Sequence, residues 1–491
     1  MEEVKAQQED PTPGARPIEK PVAGETSPEE ESGVRINEKA LLRKLDLRLL
    51  PAVTLLYLLS FLDRSNVANA RIEGLTTDLN MTGDQYLTSL TLYFIGYVLF
   101  EIPCNIVLKR TSPKLWLPTL TLLWGIIATL MGVTQNLAGF FVIRFFLGVT
   151  ESGLFPGVVF YLSMWYRRSE QHYRIALFFS AASLAGAFGG ILAYGIAHMN
   201  GVGGYGGWRW IFIIEGLVTV VVAAISYLFI VNYPATAGFL SDDERAAIYE
   251  RLKGDNDATR EEGFTWKNVT KAFKDPKCWL YGLGFHTMSL PLYTLSLFLP
   301  TIIKELGYTS AQAQLLSVPP YAVAFILTIS VAILSERYHI RAPFVAGPAM
   351  LAAIAYIILL TDTRPGVSYF GTILAAAGIY PATAIVLSWP ANNVSGQTKR
   401  ATANAMQISV GNLGAVLGTQ LYRNEDGPRF FLGHGFALGY LCANVVVVSI
   451  LWAVLRRENT RRQRGERNDR LVGIQEDEWL GDEDPRWLFQ T

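Results

Sequence analysis

The chain alternates long apolar runs with short polar ones. Runs long enough to cross a bilayer lie at roughly 47–68, 86–108, 115–134, 137–161, 174–197 and 208–231. After a polar stretch they resume at roughly 279–302, 314–336, 343–361, 367–390, 401–422 and 432–455. Each is about 20 residues, which at 1.5 Å per residue matches a hydrocarbon core about 30 Å thick. The pattern predicts an all-α polytopic membrane protein with about twelve transmembrane helices, six before the polar stretch and six after it. It divides the chain into an N-terminal tail (1–44), a first bundle (45–231), a linker (232–278), a second bundle (279–456) and a C-terminal tail (457–491). Two runs fit least well: the first is interrupted by Asp63 and Arg64, and the eleventh is polar and Gly-rich.

The two bundles repeat each other. Gly153-Leu154-Phe155-Pro156 followed by Leu162-Ser163 recurs as Gly378-Ile379-Tyr380-Pro381 followed by Leu387-Ser388. Gly186 and Gly189 recur as Gly411 and Gly414, and every pair is 225 positions apart. A constant offset across two spans indicates a parallel duplication of six helices, the plan of the major facilitator fold, with a substrate cavity between two halves that rock. The charges inside the spans do not repeat. At the same offset Arg144 meets Tyr369, Glu151 meets Ala376, and Asp63 and Arg64 meet Met288 and Ser289. Charges needed by the architecture alone are expected in both halves, so these point to chemistry.

A charge in the hydrocarbon core costs at least a few kcal/mol and is kept where it faces a partner or a water-filled cavity. In RFFLGVTESGLFPG (144–157), Arg144, Gly148, Glu151 and Phe155 share one helix face. Arg144 offers a fixed planar fork for a carboxylate, and Glu151 is the candidate proton site. The two stand about 10 Å apart along the axis, too far for direct pairing. Arg64 is a second candidate anion ligand. Asp63 is expected to pair with Arg64 or another cation and is a second proton candidate. Tyr93 and Tyr97 could line the cavity with hydroxyls, and Glu101, beside Pro103, is expected to pair with a loop cation as a gating or structural group. Arg209 and Glu215 in GWRWIFIIEG read as structural, with Trp208 and Trp210 as an interfacial belt. In the second half His286 is either a relay or a hydrogen-bonded packing residue. Asn412 is one of several polar groups in the eleventh span, and Asn392 and Asn393 are gate candidates.

Composition narrows the class. Only 17% of residues are charged and mean hydropathy is +0.25, below the roughly 25% charge of soluble domains. The net charge of zero gives no footing for nucleic acid. Cys104, Cys278 and Cys442 have neither disulfide-framework nor metal-ligand spacing. There is no phosphate loop, so ATP-driven transport is not expected. No cofactor or metal is called for, and no nucleophile–base pair marks an enzyme. Lys and Arg gather on one side of the spans (Arg43, Lys44 and Arg48; Lys109, Arg110 and Lys114; Arg167, Arg168 and Arg174; Arg337 and Arg341). That bias places both termini and the linker in the cytoplasm. No cleavable leader is visible and residues 1–40 read as a disordered tail. Ser241 to Leu252 reads as an N-capped amphipathic helix on the inner membrane surface.

The motifs LDRSNVANAR, FEIPCN, RFFLGVTESGLFPG and GWRWIFIIEG together resemble the anion:cation symporter family of the major facilitator superfamily, and within it the fungal allantoate, nicotinate and vitamin permeases. The likeness covers about 45–457, and the degenerate loop NIVLKRTSPKLW agrees with it. The resemblance implies proton-coupled uptake of a small organic anion, with Arg64 and Arg144 on the substrate carboxylate and Glu151 sensing protons. Tyr93, Tyr97 and His286 stand in helices where relatives that move large dicarboxylates carry basic groups, which favours a monocarboxylate or vitamin-like acid. The expectation is a monomeric plasma-membrane importer using protons. An exporter or antiporter of the same fold, or a nutrient receptor that does not transport, are the alternatives.

Overall fold

The computed structural model describes residues 37–253, 266–362, 364–473 and 480–491. The expected disordered tail lies almost wholly outside them. Six spans form the first half: α1 (Glu38–Ile72), which leads through the short α2 (Leu75–Asp78) to α3 (Gly83–Arg110), then α4 (Pro113–Gly132), the broken pair α5 (Leu137–Glu151) and α6 (Leu154–Ser163), α7 (Arg168–Ala197) and α8 (Gly207–Phe229). Two helices follow between the halves, α9 (Asp242–Lys253) and α10 (Trp266–Lys274). The second half comprises α11 (Pro276–Glu305), the pair α12 (Ser310–Leu316) and α13 (Val318–Tyr338), α14 (Ala342–Thr361), α15 (Pro365–Asn393), α16 (Gln397–Gly418) and α17 (Phe431–Gln463).

Ten of these spans are long and apolar enough to cross a membrane. The other two, α11 and α16, are long enough at 30 and 22 residues but more polar. The polarity has a structural reason. Both pack against the opposite half, α11 on α1 and α16 on α3, so their polar groups meet protein rather than lipid.

Helices in lipid gain no hydrophobic free energy by meeting, so close packing holds them together. Glycine permits it at α3 and α5. A Cβ on Gly148 would overlap the Tyr93 carbonyl oxygen, and one on Gly96 would overlap that of Phe145. The two backbones therefore touch, and Tyr93 is pressed against the charged face of α5. The fourth span, expected as one helix, breaks at Ser152–Gly153 directly after Glu151. Pro156 has no N–H to give the Ser152 carbonyl. Gly153 lies where a Cβ would come within 2.7 Å of Leu120 and 2.8 Å of Cys104.

At the end of the bundle where α1 begins and α17 ends, here the tail end, α9 is a helix with a capping box. Glu244 N donates to Ser241 Oγ at 3.2 Å and Ser241 N donates to Glu244 Oε2 at 2.9 Å. Its apolar residues Ile248 and Leu252 are buried in the protein core. Lys44 Nζ reaches Glu244 at 2.7 Å, and Arg251 joins Glu38 at 2.7 Å and also Glu170. The helix thus lies on the first half, not on the membrane surface expected for it.

The C-terminal segment 480–491 forms a strap across the tail end of the second half. Gln490 N donates to Asn393 Oδ1 and Asn393 Nδ2 donates back to the Gln490 carbonyl, both at 2.8 Å. Trp389 Nε1 and Arg341 Nη2 also donate to Gln490, at 2.9 and 2.7 Å. Arg462 donates to the carbonyls of Asp484 and Trp487, and Trp487 and Phe489 are buried. Asn392 and Asn393, expected at a gate, hold this strap.

Candidate functional site

Adjacent residues on a helix point about 100° apart, and in α1 this separates Asp63 from Arg64. Asp63 turns into its own half, where Trp124 Nε1 and Thr219 Oγ1 donate to Oδ2 at 3.2 and 2.9 Å. One turn on, Asn66 Nδ2 donates to Glu215 Oε2 at 2.5 Å. Asp63 therefore has hydrogen-bond donors from α4 and α8, not the cation expected for it. With Asn66 and Glu215 it ties α1 to those helices.

Arg64 turns to the interface between the halves. Its Nη2 meets Glu151 Oε2 at 3.1 Å, with both side chains buried. The same oxygen accepts from Ser60 Oγ at 3.0 Å and from the Tyr93 hydroxyl at 2.8 Å. Arg64 Nη1 crosses to the second half and donates to the Tyr293 hydroxyl at 3.0 Å. The rings of Phe61, Tyr93, Tyr97 and Tyr293 surround the guanidinium at 5.7, 5.3, 5.3 and 5.6 Å. Each desolvated cation–π contact of this kind is worth about 2 kcal/mol. Glu151 Oε1 receives no hydrogen bond among the described residues.

Arg144 is fully buried and lies 5.1 Å from the Tyr93 ring. Its Nε reaches the Ser89 carbonyl at 3.5 Å, while Nη1 and Nη2 have no acceptor among the described residues. A buried polar group without a partner carries a penalty of about 1–3 kcal/mol, more when charged, so the two bare ends are costly as they stand, and Arg144 does not itself line the space between the halves. Tyr93 joins the two charged groups: its ring meets Arg144 and its hydroxyl meets Glu151. This contact, not a direct one, bridges the seven-residue spacing.

A space of about 10 Å³, room for one water, separates the halves at this level. Arg64, Tyr97 and Phe155 line it from the first half, Phe285, Tyr293 and Asn412 from the second. The halves touch on both sides of it. Toward the tail end, His172 Nδ1 and Ser388 Oγ are 2.7 Å apart, and Ser409 Oγ donates to Glu101 at 3.3 Å. Toward the far end, Thr91 and Thr419 hydroxyls are 2.7 Å apart, Lys304 Nζ and Ser310 Oγ donate to the Ile72 carbonyl at 3.3 and 3.0 Å, and Arg71 meets Asn424. The arrangement is occluded.

Other candidates sit elsewhere. Glu101 contacts Ser409 of the opposite half, not a loop cation. Arg209 donates to the Gly132 and Thr134 carbonyls at 3.1 and 2.6 Å and stacks on Trp208. Trp208 is fully buried and donates to Asp78 at 2.7 Å, so it is no membrane-facing belt residue. His286 engages the Val410 carbonyl at 2.9 Å and the Tyr440 hydroxyl at 3.3 Å, outside the lining of the central space. Ser60 and Tyr293 were not expected. Ser60 had a signal, since it lies one turn before Arg64 on the same face. Tyr293 had none beyond its place between Pro291 and Pro300.

The family model "Major Facilitator Superfamily" matches residues 53–419. The chain belongs to that superfamily. It is 40% identical over 441 residues to the "MFS-type transporter cnsO" of Penicillium expansum, covering 87% of this chain and 85% of that one. It is 32% identical over 454 residues to the "High-affinity nicotinic acid transporter" of Saccharomyces cerevisiae, covering 92% and 85%. Among solved structures it is similar to an unoccupied, inward-facing bacterial homolog of the human lysosomal transporter Spinster (TM-score 0.61, 17% identity, 85% and 96% covered). It is also similar to the proton:xylose symporter XylE (TM-score 0.59, 16% identity, 82% and 95% covered). The last two speak for the fold alone. This superfamily member is therefore a multi-pass membrane transporter and not an enzyme.

Proposed function

We propose that this transporter imports a small organic anion, a monocarboxylate or vitamin-like acid, together with a proton. The carrying observation is the pair of buried cations joined through Tyr93: Arg64 held by Glu151, and Arg144 with both terminal nitrogens bare among the described residues. A carboxylate seated on Arg144 would satisfy both nitrogens at once. A proton on Glu151 would neutralise the group that holds Arg64, leaving a second guanidinium free for the anion. Proton and anion then load together without adding net charge to a desolvated site. The aromatic rings around Arg64 favour a flat acid, and the likeness to a nicotinic acid transporter makes nicotinate the first acid to try. Ser60, Tyr93 and Tyr97 position these groups, Asn412 and Tyr293 complete the site from the second half, and Asp63 and Glu215 keep α1 in place. In this reading the protein works as a monomer in the plasma membrane, with the tail end in the cytoplasm.

The test is uptake of labelled nicotinate and a panel of other monocarboxylates into proteoliposomes. Uptake should rise as the outer pH falls and collapse with a protonophore. In Glu151→Gln, which holds no exchangeable charge, the pH dependence should disappear. Uptake by Glu151→Gln that still responds to outer pH as in the unsubstituted protein would sink the proton assignment. Acid-driven efflux in place of uptake would favour an exporter.

A further inference from the structure

A second space, of about 910 Å³, lies at the tail end of the second half. Its walls are α10, the first turn of α11, the end of α17 and the strap residues 480–483. Nine Lys and Arg line it against four Asp and Glu. Part of this charge builds the wall. Lys399 Nζ lies between Asp275 and Asp482 at 3.0 and 2.7 Å, and Arg462 is spent on carbonyls of the strap. Lys271 and Lys274 of α10 and Arg457 of α17 are exposed and have no ion-pair partner among the described residues. They face a common space, and no carboxylate among the described residues pairs with them.

The surroundings fix its depth. On α17, Val446, Ile450 and Val454 are exposed at intervals of four, so they form one apolar stripe toward lipid. Val454, the last of the stripe, is also in the lining of the space. On the other side, Trp266 and Phe273 of α10 and Trp279 of α11 are exposed beside Lys271 and Lys274, the mix of aromatic and basic residues found where acyl chains give way to headgroups. The mouth of the space thus sits at the end of a track for an acyl chain.

We propose that this space binds the multiply phosphorylated headgroup of an inner-leaflet lipid, with an acyl chain along Val446–Val454. Basic recesses between helices on the cytoplasmic side take such headgroups. One phosphate would leave most of the excess positive charge uncompensated. A bisphosphorylated headgroup meets Lys271 and Lys274 on one side and Arg457 on the other. Its binding joins α10 to α17 across the strap.

The experiment uses the full chain in nanodiscs of phosphatidylcholine, of phosphatidylcholine with phosphatidylserine, and with phosphatidylinositol bisphosphate at the same total lipid charge. Bound lipid is read by native mass spectrometry, and soluble inositol hexakisphosphate is a fourth arm. The bisphosphate lipid should bind about tenfold better than phosphatidylserine. Lys271→Ala/Lys274→Ala/Arg457→Ala should lose about tenfold or more of that binding. The exposed control triple Arg43→Ala/Arg110→Ala/Lys114→Ala should keep it. Equal binding of both acidic lipids, or equal loss in the two triples, would overturn a built site. Tight binding of the soluble polyphosphate with no preference among lipids would overturn the lipid as its source.

Discussion

At the scale of single residues, Arg144 is the clearest case of a group without its partner. Its charge is permanent, its side chain is buried, and two of its nitrogens lack acceptors among the described residues. Arg144→Lys separates charge from shape, because the ammonium keeps the first and loses the fork. A charged hydrogen bond contributes about 1.5–3 kcal/mol, so the apparent affinity for the proposed carboxylate should fall roughly 10- to 100-fold, while the pH dependence proposed for Glu151 should persist. Saturation curves for uptake at two outer pH values check this, and unchanged half-saturation would remove Arg144 from the anion site. That Arg64, Arg144 and Glu151 lie buried in protein is legible in sequence, because a charge in an apolar span is costly wherever it goes. Which charge meets which is not. Asp63 and Arg64 are neighbours in the chain, yet α1 turns one toward Trp124 and Thr219 and the other toward Glu151 and Tyr293. Only the packing of distant helices decides that.

At the scale of elements, the site depends on how tightly α3 and α5 approach. Gly148 and Gly96 allow it, and the consequence is that Tyr93 can touch Arg144 and Glu151 together. Gly148→Ala pushes a methyl into the Tyr93 backbone, which cannot retreat as a side-chain tip can. Overpacking of this sort costs about 1–3 kcal/mol. Thermal stability of the purified protein should drop by several degrees, and anion affinity should fall with it. Gly195, with nothing within 4 Å of a Cβ, supplies the control: Gly195→Ala should leave both unchanged. Equal behaviour of the two variants would mean that the α3–α5 contact does not position the site. Ten of the spans are readable because each holds about 20 largely apolar residues, while α11 and α16 are long enough but more polar. The break after Glu151 was harder to see, since Pro156 within a helix signals a kink but not its place relative to the charge. The strap was not readable at all. Its acidic and aromatic residues acquire meaning only from Asn393, Asn459 and Arg462, which come from two different helices.

At the scale of the whole molecule, the internal repeat implies motion. Two similar halves that meet on both sides of a buried site can expose it only by parting on one side at a time. The contacts at each end are therefore alternatives during a cycle, although this arrangement makes both. The Thr91–Thr419 pair closes the far end, and the His172–Ser388 pair closes the tail end. In a protein whose three cysteines are replaced by serine, Thr91→Cys with Thr419→Cys, or His172→Cys with Ser388→Cys, can be joined by a short thiol-reactive linker. Either link should stop net transport, because each half-cycle needs one of these contacts to open, and a cleavable linker should restore transport on reduction. The two should differ in binding. With the far end locked, nicotinate added at the tail side should still reach Arg144, whereas with the tail end locked it should bind only from the far side. Radioligand binding to oriented proteoliposomes reads this directly. Undiminished transport through either linked protein would mean that the halves do not separate at these contacts, and the path of the anion would have to lie elsewhere.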